Sequence, residues 1–299
     1  MRNTAGLLFD PAVAAAIADL ELVSRRVVEG FFAGLHPSPY HGFALEFASY
    51  REYTPGDDLR YLDWRVWARS DRFYVKQFEQ TTNLACFITV DCSGSMSIEA
   101  ANRVSKHRYA LIAAGALGYL MVRQGDQVGF LAANGEEEVY VPAKSGRRHL
   151  FSALAGVCRL RPAGRMPLPA MLEALAARLS HRGMAIILSD FLHPTDELLE
   201  AMKLLVRTRS ELVLFEILTA EEREFPYDGV VEFVDAEGPL RVPTQATVVR
   251  RAYLEALEEH RRRVSDFAAE VGADYVPLSP EEPLSEVLSR YLLARSRFL

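Results

Sequence analysis

The sequence predicts an α/β fold, a doubly wound and mostly parallel sheet with helices on both faces, and three observations carry that expectation. Short apolar runs bounded by polar residues recur at 84–90 (LACFITV), 184–189 (MAIILS) and 211–218 (ELVLFEIL), the texture of strands buried on both faces. Segments of helical periodicity lie between them, and strands that alternate with helices build parallel sheets. Ala133-Asn134-Gly135 separates two further β-like runs. Asn-Gly is a strong hairpin signal, so one edge strand is expected to be antiparallel.

Taken in order, residues 11–34 read as a helix, with Leu20, Val23, Val27 and Phe31 at helical spacing. Phe43, Leu45 and Phe47 then alternate as in a strand. Pro55-Gly56-Asp57-Asp58 follows as a turn, because Pro presets one turn residue and Gly supplies a positive φ for the next. A short helix through Trp64 and Trp67 and a strand at 72–79 complete this part. Residues 1–80 are therefore expected as an N-terminal helix with a small β-rich appendage, and 81–299 as the α/β domain.

Beyond the first buried strand, 99–124 reads as a long helix apolar on more than one side. Gly115 and Gly118 would let it lie close on the sheet. The hairpin strands fall at 127–132 and 137–141, followed by helices at about 147–160 and 167–181 and the strand 184–189. A helix at 196–207, the strand 211–218 and a weaker β segment at 229–242 come next. A helix at about 245–271 carries Val249, Tyr253, Leu257, His260, Val264, Phe267 and Val271 on one stripe. The tail supplies a strand at 274–278 and a helix at 283–295. With the strand at 84–90 counted as the first of six, the expected order is 3-2-1-4-5-6.

Composition narrows the function classes. Half of the residues are hydrophobic (49%) and a quarter charged (25%), which sets aside disordered and fibrous chains. Thirty-four basic against 40 acidic residues give a net charge of −6, which argues against nucleic-acid binding by bulk electrostatics. Cys86, Cys92 and Cys158 form no CxxC pair, so a reducing cytoplasm is the expected location. The longest uncharged apolar region, around Tyr109 to Val122, is too short for a membrane span.

The most informative residues are Asp91-Cys92-Ser93-Gly94-Ser95-Met96. A carboxylate ends a buried strand and two hydroxyls follow at alternate positions, so three oxygen ligands converge on one point. A hard cation such as Mg²⁺ takes six oxygens and keeps waters among them. Asp190, at the end of the strand 184–189, can reach the same crevice. The plainer alternative is that Asp91 and the serines cap the helix that follows.

This Asp-x-Ser-x-Ser spacing, with an Asp after a later strand, resembles the metal-ion-dependent adhesion site of von Willebrand A domains. The resemblance implies a von Willebrand A-like sheet, with Asp91, Ser93, Ser95 and Asp190 around Mg²⁺ or Mn²⁺ and an open position for a partner's carboxylate. The Thr such sites carry falls at Met166 in this chain. A thioether is a poor ligand for these ions, so weak binding is expected.

A second block is longer. Arg51-Glu52-Tyr53-Thr54-Pro55-Gly56-Asp57-Asp58-Leu59-Arg60 leads into Asp63-Trp64-Arg65-Val66-Trp67-Ala68-Arg69, and Val75-Lys76-Gln77-Phe78-Glu79 follows. This run resembles the signature of the domain-of-unknown-function-58 family, bacterial proteins with a von Willebrand A-like domain. That resemblance extends from about residue 40 to the end of the chain. It implies action beside a MoxR-type AAA+ ATPase in chaperone-like assembly or metal insertion. From the residues alone, Trp64 and Trp67 share a helix face, and the arginines interleave with Asp57, Asp58 and Asp63. Arg51, Tyr53, Gly56, Asp57, Arg60, Asp63, Trp64, Arg65 and Arg69 are thus either a structural clamp or a partner surface.

Other features weigh less. Arg261-Arg262-Arg263 reads as a solvated helix face. No HExxH or comparable His spacing occurs. Cys92 sits where a helix N-terminus would favour a thiolate, but no His is placed to serve it. The leading expectation is a non-enzymatic protein-interaction module. A Mg²⁺-dependent phosphohydrolase is the enzymatic alternative, though a haloacid-dehalogenase-type site needs a carboxylate where Ser93 stands. No Walker A sequence is present, so ATP hydrolysis would come from a partner. The third alternative is an architectural subunit whose metal site has decayed.

Overall fold

The computed structural model describes residues 45–52, 74–80, 84–165, 168–179 and 183–296. The expected N-terminal helix, the turn at residues 55–58, the Trp64–Trp67 helix and Met166 lie outside them. So does the signature block from Tyr53 to Arg69. β1 (Leu45–Glu52) and β2 (Tyr74–Gln80) form an antiparallel pair in which Arg51 stands opposite Val75.

Six strands make the central sheet: β3 (Ala85–Asp91), β4 (Gln127–Ala133), β5 (Glu138–Lys144), β6 (Met184–Ser189), β7 (Glu211–Ile217) and β10 (Asp274–Leu278). A separate antiparallel ribbon consists of β8 (Val230–Val234) and β9 (Arg241–Gln245). The sheet order is β10-β7-β6-β3-β4-β5, parallel throughout except for the β4–β5 edge pair. This is the predicted order 3-2-1-4-5-6. The edge turn forms as its sequence dictates, with the Asn134 side-chain oxygen accepting from the Glu136 and Glu137 N–H groups at 2.8 Å each.

Two apolar layers enclose the sheet. Ile88, Val128 and Phe215 face α1 (Lys106–Arg123), α2 (Arg147–Val157) and α7 (Leu284–Ser296). Phe87, Ile187 and Leu214 face α3 (Leu168–Arg178), α4 (Thr195–Arg207) and α6 (Ala246–Val271). The apolar strand runs follow from this, since neither face of β3 or β6 meets water. Gly118 gives α1 its close seat: a Cβ there would lie 2.6 Å from Leu150 Cδ1 and 3.5 Å from Ile88 Cδ1.

Two expectations are corrected. The helix predicted from 99 starts at Lys106, with Ser105 as N-cap accepting from the Arg108 N–H at 3.1 Å. Residues 94–97 form a single 3-10 turn instead, and Arg103 takes a positive φ of 64° between the two. Helical periodicity could not see that break, because the cap and the strained residue are local. The Arg261–Arg263 face is not simply solvated either. Arg261 Nε lies 2.9 Å from Oε2 of Glu216, a buried carboxylate that also accepts from the Tyr275 hydroxyl at 2.6 Å. Arg262 and Arg263 keep the predicted exposure, Arg263 while meeting Asp196. One short helix was not anticipated: α5 (Ala220–Glu224), closed by a Thr219–Glu222 capping box.

Candidate functional site

β3 and β6 are parallel neighbours, so their carboxyl ends bring Asp91 and Asp190 to one end of the sheet. The motif loop leaves β3 under tight backbone control. The Cys92 N–H donates to Ala133 O at 3.0 Å, the Gly94 N–H to Gly164 O at 2.9 Å, and the Ala163 N–H to Cys92 O at 3.1 Å. Asp91 is fully buried. Its Oδ1 accepts from the Ser93 N–H at 2.8 Å and its Oδ2 from the Ser189 hydroxyl at 2.6 Å. Ser93 Oγ and Ser95 Oγ are 3.1 Å apart, and the Ser95 hydroxyl donates to Asp190 Oδ2 at 2.7 Å. All four motif residues singled out from the sequence therefore meet.

The serines do not cap the following helix, which contradicts the capping alternative. Ser93 makes no capping hydrogen bond, and α1 begins eleven residues beyond Ser95 with its own cap at Ser105. Cys92 is also corrected as a thiolate candidate. Burial pushes its thiol well up, and the Asp91 charge adds to that. A buried thiol of this kind is inert.

Sequence reasoning missed the cation of the site. Lys106, the first residue of α1, is fully buried, and its Nζ donates to Asp190 Oδ2 at 2.9 Å and to Glu222 Oε1 at 2.6 Å. Glu222 is held in turn, because its Oε2 accepts from the Thr219 N–H at 2.8 Å. The Tyr253 hydroxyl donates to Glu222 O at 2.9 Å. Thr219-x-x-Glu222 has the spacing of a capping box, a local signal for α5, but nothing local shows that its carboxylate receives a lysine.

The two aspartates differ electrostatically. Burial pulls the Asp190 carboxyl up, but the Lys106 charge and its hydrogen bond outweigh this and hold it below its ordinary value. Asp91 has no cationic partner among the described residues. Burial, reinforced by the Asp190 charge, raises it to about 6, against the lowering effect of the Ser189 and Ser93 hydrogen bonds. Lys106 is raised, since Asp190 and Glu222 outweigh the cost of its burial.

A divalent cation fits this donor set. Asp91 is a buried carboxylate with no cation beside it among the described residues, and the Ser93 and Ser95 hydroxyls follow it in the same loop. Among the described residues no three His, Cys, Asp or Glu side chains gather as a metal cluster. An ion here would thus rest on Asp91 and hydroxyls, with Asp190 shared with Lys106. Beyond Asp190, burial lowers His193, the Asp190, Glu237 and Glu197 charges oppose this, and Arg165 adds to it.

Residues 49–263 match the family described as "Protein of unknown function DUF58". The chain is 32% identical over 296 residues to an uncharacterized protein of Mycobacterium tuberculosis H37Rv, covering 98% of this chain and 92% of that one. It is 28% identical over 127 residues to the uncharacterized protein YeaD of Bacillus subtilis, covering 42% and 29% respectively. Among solved structures, the conserved hypothetical protein BatB of Bacteroides thetaiotaomicron matches 72% of this chain and all of that one, at 17% identity and a TM-score of 0.46. The SpRpn10 VWA domain matches 69% and 94% respectively, at 12% identity and a TM-score of 0.40.

Proposed function

Because the chain belongs to the DUF58 family and gathers its motif oxygens at the carboxyl ends of two central strands, we propose that it is a non-enzymatic protein-interaction module working through the crevice above Asp91. The observation that carries this is the pairing of an uncompensated buried carboxylate with two hydroxyls at the end of a parallel sheet, where such folds place their ligands. Asp91, Ser93 and Ser95, with Asp190 behind them, would hold Mg²⁺ or Mn²⁺. A bound ion would supply an electrophilic position for a partner's carboxylate. With Met166 at the position of the usual Thr, the affinity is expected to be low.

The partner proposed is a MoxR-type AAA+ ATPase, as the family resemblance implies, and it would bring the nucleotide chemistry that this sequence lacks. The described residues contain no helix long and apolar enough to cross a membrane. One structural feature favours the architectural alternative: Lys106 places a fixed positive charge on Asp190, so part of the site's charge is balanced without a metal. The phosphohydrolase alternative finds no such support, since Ser93 occupies the position of its proton-transfer carboxylate.

Affinity capture from native lysate tests the proposal, with the parent chain and Asp91→Ala, each in Mg²⁺ and in excess chelator. A AAA+ ATPase retained by the parent in Mg²⁺ and lost in the other three conditions is the expected result. Equal retention by Asp91→Ala would remove the crevice as the interface. Retention by the parent in chelator, with loss in Asp91→Ala, would leave the interface and remove the metal.

A further inference from the structure

The β8–β9 ribbon stands apart from the main sheet, and its tip lies on the motif loop. Its root is anchored: Phe233 stacks on Phe225 with ring centroids 5.4 Å apart, and the Ala246 N–H donates to Gly229 O at 2.9 Å. Beyond the last ladder pair, Val234–Arg241, the Asp235 N–H donates to Leu240 O at 2.9 Å. Asp235 Oδ1 accepts from the Glu237 N–H, also at 2.9 Å. The turn so formed presses backbone against Gly94. A Cβ at Gly94 would stand 2.1 Å from the Ala236 carbonyl oxygen and 3.3 Å from Glu237 Cα. Only glycine permits that approach, in the middle of the motif itself.

The tip is also oriented. Residues 235, 236 and 238–240 are exposed, whereas Glu237, whose Cα lies against Gly94, is half-buried. Its charge acts on His193, which also feels Asp190. The chain thus brings an acidic residue of its own beside the motif loop of a crevice suited to receiving a carboxylate. A two-stranded ribbon that, among the described residues, is hydrogen-bonded to the rest of the chain at its root and merely rests on Gly94 at its tip belongs to the part of a fold that opens at low cost.

We propose that the β8–β9 hairpin is an intramolecular plug, with Glu237 beside the motif loop where a partner's acidic group would arrive, so that the partner must lift the tip to bind. This rests on the crevice being the partner surface. It predicts that the motif loop is shielded in the free protein and becomes accessible when the tip is removed.

The test is thiol labelling of Ser95→Cys in a Cys158→Ser background, with 5,5′-dithiobis(2-nitrobenzoic acid) as the probe. Cys86 and Cys92 are fully buried and stay silent. Residues 235–240 are replaced by Asn-Gly, a two-residue turn suited to joining Val234 to Arg241. Labelling at least tenfold faster than with the full hairpin is the expected result, and an unchanged rate would overturn the plug. Should the shortened chain fail to fold, Gly94→Ala with the hairpin intact decides by the same two outcomes. Labelling needs neither metal nor partner, so its failure is separate from failure of the capture experiment.

Discussion

Lys106 and Asp190, 84 residues apart in the chain, meet at 2.9 Å with both side chains almost wholly out of solvent. The pair joins the start of α1 to the end of β6, and Glu222 extends it to α5. Ions in such a place are held by each other and by their hydrogen bonds. Removing one partner leaves the other buried and uncompensated.

Lys106→Met is therefore expected to destabilise the protein by about 3–5 kcal/mol. For a domain of this size that is a fall in Tm of roughly 10 °C. Lys106→Met combined with Asp190→Asn should recover part of the loss, because one of the two stranded carboxylates is then neutral and only Glu222 keeps its charge. Thermal melts of the two variants at pH 7.5 check this.

Asp91 predicts the opposite sign. Its folded value of about 6 lies above the ordinary 3.8 of an unfolded aspartate. The raised group therefore contributes stability below about pH 3.8, and that contribution is lost as pH rises through about 6. At pH 7.5 the ionised carboxylate is a net cost, and Asp91→Asn is expected to stabilise the metal-free protein by roughly 1–3 kcal/mol. The amide oxygen can still accept from the Ser93 N–H, and its NH₂ can donate to Ser189 Oγ. Melts from pH 4 to pH 8 should show the parent and variant diverging as pH rises.

The sheet was legible because its chemistry is local. Strands buried on both faces must be apolar throughout, and the Asn134 side chain closes the edge turn on the N–H groups two and three residues ahead. The motif was legible for the same reason, with Asp91, Ser93 and Ser95 lying within five residues. Lys106 was not, because its burial depends on Asp190 and Glu222, 84 and 116 residues away. The contact of Gly94 with Ala236 was equally hidden, since sequence gives no register between a loop and a distant hairpin tip. Arg261 was misjudged on the same ground: its partner Glu216 lies inside a strand that reads as a plain apolar run.

That correction yields a comparison between adjacent residues. Arg261→Ala leaves Glu216 with the Tyr275 hydroxyl but no cation and is expected to cost about 2–3 kcal/mol. Arg262→Ala, at an exposed position, should stay within about 0.5 kcal/mol of the parent. Urea denaturation of the two variants separates a structural ion pair from a solvated face. Equal midpoints would mean that the Glu216 contact contributes nothing.

The last prediction concerns competition between protons and metal at Asp91. A cation held by Asp91, Ser93 and Ser95 needs the carboxylate ionised, so the two compete for one group. With Asp91 titrating at about 6 in the free protein, Mn²⁺ affinity should change little between pH 8 and pH 7. It should then fall roughly tenfold between pH 7.5 and pH 5. Ser189→Ala removes the hydroxyl that donates to Asp91 Oδ2, one of the interactions that hold this carboxyl down. The midpoint of the pH dependence should therefore move upward in that variant, with weaker binding at pH 6.5 than in the parent. Asp91→Ala should abolish the titration at every pH. Calorimetric Mn²⁺ titrations across this range provide the measurement, and an affinity in the parent that does not vary from pH 5 to pH 7.5 would take Asp91 out of the ligand set.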